Sequence, residues 1–217
     1  EFLKVYQKVH QFCVLDMSAF YLDILKDRLY TTGRDSLIRR SAQTAMYHIG
    51  EALVRWIAPV LSFTAEEIWQ ALPGERDESV FMAPWYNQLF ELEEDSEHSR
   101  WRAVRQVRDA VAKCIEELRA TGQAGSSLAT SAEVWADGVY GEALRWLGDE
   151  LRFVLLTSDA AAGALGDAPA DARSMDLEQG RIVVRVRPNT DPKCVRCWHQ
   201  RPDVGHSAKH PELCGRC

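Results

Sequence analysis

The chain has 217 residues, 46% hydrophobic and 27% charged, a composition that builds a packed core. No apolar run reaches the roughly 18 residues of a membrane-spanning helix, which excludes one. The formal charge of −6 excludes a protein that coats nucleic acid indiscriminately, so any nucleic-acid role must rest on a local surface.

Helical spacing is present from the first residue, Glu1, which reads as a piece of something longer, and a missing leader then says nothing about compartment. Phe2, Val5, Val9 and Phe12 mark one apolar stripe, and Phe20, Ile24, Leu25 and Leu29 a second. After Ser36 as N-cap, Ile38, Ala42, Ala45, Ile49, Ala52, Leu53 and Trp56 mark a third helix. Pro59 should end it, and Thr64 with Glu67 predicts a capping box for a fourth helix that stops at Pro73 and Gly74. Arg55, Trp56 and Trp69 read as the architecture of this antiparallel bundle, as do Trp85 and Trp101. An apolar island (Val80, Phe81, Met82, Pro84, Trp85, Tyr86) is expected to pack back onto it, ahead of an acidic run over residues 91–97.

From Ser99 an amphipathic helix carries Trp101, Val104, Val107, Val111, Ile115 and Leu118 on one face. Strands are predicted at residues 134–136, 151–156 and 182–186, with a short helix at 143–147, while the Ala-, Gly-, Asp- and Pro-rich residues 159–172 read as a surface loop. The expected architecture is mainly α: a helical bundle over residues 1–95, a small α+β domain over 96–190 opened by a long helix, and a four-cysteine finger over 191–217. Charge divides similarly, with 9 basic and 11 acidic residues in 1–90, 12 and 18 in 91–190, and 5 and 3 in 191–217.

Cys194, Cys197, Cys214 and Cys217 form C-x2-C-x16-C-x2-C, in which two tight turns each offer two sulfurs to one tetrahedral zinc at about 2.3 Å. Four thiolates leave no open position, so the metal would be structural, and the short loop has too little apolar content to fold without it. His199, His206 and His210 inside the loop leave a set of three Cys and one His as a rival. Two disulfides in an exported protein are another, disfavoured by the unpaired Cys13 and Cys114, which read as core residues of a reduced, cytoplasmic protein.

The segment Cys194-Val-Arg-Cys-Trp-His199, followed by Asp203-Val-Gly205 and closed by Cys214-Gly-Arg-Cys217, resembles the C-terminal zinc finger of bacterial isoleucyl-tRNA synthetases. Phe20-Tyr-Leu-Asp-Ile-Leu-Lys-Asp-Arg28, Tyr47-His-Ile-Gly-Glu-Ala-Leu-Val-Arg-Trp56 and Ala58-Pro-Val-Leu-Ser-Phe-Thr-Ala-Glu-Glu67 resemble the anticodon-binding bundle of that family, and Glu150-Leu-Arg-Phe-Val-Leu-Leu-Thr-Ser158 its junction domain. The resemblance implies a monomeric, cytoplasmic part of a class I synthetase that holds the anticodon stem and loop of isoleucine tRNA, with one structural zinc. It also implies that ATP is used only in a catalytic domain absent here, as is the editing domain, so this chain alone is expected to be inactive. No HIGH-type or KMSKS-type motif occurs as such; the nearest lookalike, His48-Ile-Gly-Glu51, falls inside a predicted helix rather than at a strand-to-helix junction beside phosphate.

Lys26, Arg28, Arg34, Arg39 and Arg40 face only Asp27 and Asp35 over that stretch, a basic patch that reads either as a phosphate-facing stripe or as a solvated face with internal ion pairs. Trp198, flanked by Arg196, His199 and Arg201 as further candidate RNA contacts, is either the finger's large core residue or an exposed platform for a splayed base. The resemblance implies contact of Trp198 and Lys26 with the anticodon. Two rivals remain: a zinc-stabilised interaction module without RNA, and a formamidopyrimidine-type DNA glycosylase, whose finger is similar but whose N-terminal proline and β-rich domain have no counterpart upstream of residue 190.

Overall fold

The computed structural model describes residues 1–89 and 95–217, and the expected acidic run at 91–97 falls largely outside them. The chain forms two compact units: Glu1–Thr31 joined with Leu92–Cys217, and Thr32–Glu91.

In the first unit, residues 2–31 are one helical run made of α1 (Phe2–Gln11), a π-helical stretch (Phe12–Leu22) and α2 (Asp23–Thr31). A π turn bonds i to i+5, so the apolar side chains leave the 3.6-residue phase in which the stripes were read. The first expected stripe is not core, although Phe2, Val5 and Val9 keep α-helical phase in α1, ahead of that stretch. No described residue of α1 is buried, Phe2 is 77% exposed, and Cys13, expected in a core, is exposed. Ile24 and Leu25 of α2 are buried as expected.

Helix α5 (Asp95–Ala120) starts ahead of Ser99 and buries Val104, Val107, Val111 and Ile115 of the expected face, while Trp101 is 36% exposed and Leu118 half-buried. These residues share one core with Val134, Ile182 and Val184 of a four-stranded mixed sheet. Its strands are β1 (Thr130–Ala136), β2 (Asp159–Gly163), β3 (Arg173–Leu177) and β4 (Gly180–Pro188), in the order β2-β1-β4-β3. Alternate residues of β1 are buried, as a half-covered strand requires.

Strands β1 and β2 are parallel, so the chain must cross over between them, which it does through α6 (Gly138–Leu147) and α7 (Leu151–Leu155). This overturns the strand expected at 151–156. Leu151, Val154 and Leu155 are the buried residues, a spacing of three and four that belongs to a helix, and Leu156 at φ 58° ends it. The loop expected over 159–172 is corrected in part, because its first five residues are β2. Gly163 of β2 lies under Trp135, whose Cδ1 would stand 2.6 Å from a Cβ at that position. Strands β3 and β4 form a hairpin, and β4 runs antiparallel to β1.

The second unit is a helical hairpin of α3 (Leu37–Ile57) and α4 (Ser62–Ala71). Ser36 caps α3, its Oγ accepting from the Arg39 N–H at 3.3 Å. Helix α4 begins at Ser62, whose hydroxyl donates to the Ala58 carbonyl at 3.0 Å, so Thr64 lies inside the helix and the expected capping box does not form. Val54, Ala58, Ala65, Trp69 and Val80 make its core. The Trp69 ring is flanked by the guanidinium groups of Arg55 and Arg76, each 4.6 Å from its centre, and both bond the buried carboxylate of Glu51. His48 bonds the Tyr86 hydroxyl at 2.5 Å in the middle of α3, a packing role far from phosphate chemistry.

Candidate nucleic-acid interface and zinc centre

The finger's core is sulfur, with Cys194, Cys197 and Cys214 buried and only Val204, Leu213 and Cys217 packed around them. All four Sγ atoms lie within 4.8 Å of one another, and Cys197 and Cys214 are 3.7 Å apart. A tetrahedron with zinc–sulfur bonds of about 2.3 Å has edges of about 3.8 Å, so the donor set fits one structural zinc. Burial works against the Cys194 thiolate, but N–H groups of Cys197, Cys214 and Arg196 outweigh it and lower this thiol to about 6. Burial pushes Cys197 and Cys217 up. Zinc bound there would supply the positive charge that lets all four ionise together. The Asp203 carboxylate, from the Asp-Val-Gly segment, accepts the Gly215 N–H at 2.9 Å and ties the second turn to the middle of the loop.

The first turn determines where Trp198 stands. The Trp198 N–H donates to the Cys194 carbonyl and the Cys194 N–H to the His199 carbonyl, each at 2.9 Å. Closing that turn holds Trp198 at φ 65°, a left-handed conformation that costs a bulky L-residue about 1–2 kcal/mol. Trp198 is 61% exposed, so it is not the finger's large core residue. It borders a cleft of about 530 Å³ in the first unit, lined also by Lys26, Asp27, Tyr30, Phe153 and Arg196. Tyr30, 76% exposed, escaped the sequence reading, although it lies on the same face of α2 as Lys26, four residues earlier.

The other expected contacts sort differently. Lys26 is exposed and pairs with Asp23 at 2.8 Å, a bond that raises its pKa. Arg28 pairs with Glu150, and Arg201 lies 3.7 Å from Asp159 and 3.9 Å from Asp203. His199, expected among the RNA-facing side chains, is 3% exposed, edge-on to Phe153 with 5.7 Å between ring centres. Arg196 reaches the Thr31 carbonyl at 3.4 Å. In the second unit, Arg34, Arg39 and Arg40 line a separate cleft of about 330 Å³ beside the start of α3, with Asp35 and Gln43. The basic stretch is thus shared between the two units. Arg216 was not read from the sequence as a site residue, yet it makes the most complete polar contact of the region, bidentate to Asp27.

Four clustered thiolates, with Trp198 exposed beside Lys26 of α2, define the class, a zinc-finger protein, and the family comparison goes further. The profile described as "Anticodon-binding domain of tRNA ligase" matches residues 1–134, and "Zinc finger found in FPG and IleRS" matches residues 191–217. The chain belongs to the family of anticodon-binding domains of tRNA ligases. Isoleucine–tRNA ligase of Halorhodospira halophila is 53% identical to it over 219 residues, covering 100% of this chain and 23% of the relative. Those of Methylococcus capsulatus and Nitrosococcus oceani are 52% and 54% identical over 219 and 215 residues. The chain thus spans about a quarter of the length of these relatives. The glycosylase reading shares the finger alone and is not favoured.

Proposed function

We propose that this chain recognises the anticodon arm of isoleucine tRNA as the RNA-holding part of a cytoplasmic isoleucine–tRNA ligase, whose joining of isoleucine to tRNA with ATP takes place in domains outside this chain. The observation that carries the reading is Trp198, exposed and held in a left-handed backbone conformation beside Lys26 and Tyr30 in one cleft. Single-stranded RNA is read by stacking unpaired bases on aromatic faces while cations meet the backbone. Trp198 and Tyr30 supply the faces, Lys26 and Arg196 the charge. Arg34, Arg39 and Arg40 offer a second phosphate-binding patch, whereas Arg28 and Arg201 act through their ion pairs and His199 through packing.

The test is a binding titration of the zinc-loaded chain with the anticodon stem-loop of isoleucine tRNA and with one of altered anticodon. Tight binding of the first and weak binding of the second is expected. Equal affinity for both would remove base reading, and no affinity for either would leave a zinc-stabilised interaction module. The chain on its own is expected to form no aminoacyl-tRNA, because its sequence holds neither the HIGH-type nor the KMSKS-type motif as such.

A further inference from the structure

Arg196 and Arg216, one inside each zinc-ligating turn, join the finger to α2. Arg196, between Cys194 and Cys197, donates to the Thr31 carbonyl at 3.4 Å. Arg216, between Cys214 and Cys217, donates to both Asp27 oxygens at 2.6 and 2.5 Å and to the Thr31 hydroxyl at 3.3 Å. Its guanidinium also lies 5.0 Å from the centre of the Phe153 ring, which fixes its plane. Asp27 is largely buried and adjoins Lys26 in the chain. A planar fork on a carboxylate fixes direction as well as distance.

We infer that Arg216, acting through Asp27, is the positioning residue by which the zinc site sets the Lys26 side of the RNA cleft. Without zinc the second turn has only a few small side chains to hold it, and the fork loses its anchor. With zinc, the turn, Arg216 and the last turns of α2 form one rigid path from the metal to the cleft. The inference rests on the RNA reading for its consequence but not for the path itself. Linkage then requires that RNA binding tighten zinc by the same factor as zinc tightens RNA, ordinarily roughly 5- to 150-fold.

Hydrogen exchange of the amides of α2, in the zinc-loaded and chelated chain, tests the path without RNA. Chelation is expected to speed exchange over the last two turns of α2. Arg216→Gln should show the faster rate with zinc still bound, Arg216→Lys an intermediate one. Exchange in α2 indifferent to zinc would overturn the inference, as would an Arg216→Gln chain indistinguishable from the parent. Should Arg216→Gln lose its metal, Asp27→Asn, remote from the ligands in sequence, serves in its place with metal content measured alongside. For the cleft, a double-mutant cycle between Arg216→Gln and Lys26→Ala on stem-loop affinity should be non-additive, and full additivity would overturn the positioning role. Absence of stem-loop binding by the parent chain, with the exchange response intact, would instead overturn the RNA reading.

Discussion

The Lys193 ammonium lies 5.2 Å from the centre of the Trp198 ring. Lys193 pairs with Gln200 in an antiparallel bridge, so the cation and the ring are carried by the same short turn. If a base stacks on Trp198, Trp198→Ala costs about 1–3 kcal/mol of stem-loop binding. Lys193→Ala removes only the cation–π support, about 0.5–1 kcal/mol. Gel-shift titration measures both, and unchanged affinity of the tryptophan variant rejects stacking.

One zinc per chain is expected from elemental analysis of freshly reduced protein. Stripping it with a chelator should unfold the finger while leaving α5 and the sheet intact, because their core holds none of the ligating cysteines. The amide spectrum of the zinc-free chain reads this directly: collapse of dispersion confined to residues 191–217 and the last turns of α2 is the expected pattern.

The pair of arginines around Glu51 gives the second unit a defined acid sensitivity. Burial works against the Glu51 charge, but the hydrogen bonds and charges of Arg55 and Arg76 outweigh it and lower its pKa below the ordinary value of 4.5. Its contribution to stability is therefore fully present above that value and is lost as pH falls through the depressed one. Glu51→Gln should cost about 3–5 kcal/mol at neutral pH by leaving two cations uncompensated. The gap between parent and variant in urea midpoint should narrow towards pH 3; a gap constant with pH would contradict the assignment.

Gly163→Ala places a methyl 2.6 Å from Trp135 Cδ1 and 2.8 Å from its Nε1, so the ring must move off β2. Overpacking of this kind costs about 1–3 kcal/mol. Thermal denaturation should show a lower midpoint, and Trp135→Leu in the same chain should recover part of it by vacating the space.

What the sequence revealed, and what it concealed, follows from range. Ser36 caps its helix within three residues, Val104 to Ile115 repeat at one period, and the cysteine spacing is local, so all were legible. The segment Leu151 to Leu156 is apolar at nearly every position, and only the crossover demanded by parallel β1 and β2 makes it a helix. Strand β2 has little side-chain signature, being mostly alanine, and it forms by pairing with β1. Cys13 lies in a π-helical stretch and is exposed, a departure from 3.6-residue spacing that the apolar pattern does not announce. Within the site, Trp198 was visible as an aromatic beside a ligand, whereas Arg216 meets Asp27 across 189 positions, a partnership no local pattern carries.

The backbone at Trp198 has one more consequence. Glycine adopts φ 65° without strain, so selection for a sturdier finger alone would favour glycine there. On the RNA reading proposed above, tryptophan in that place trades folding stability for a stacking face. Trp198→Gly should accordingly yield a finger that survives more heat and recognises less, the opposite of what removing a buried tryptophan does.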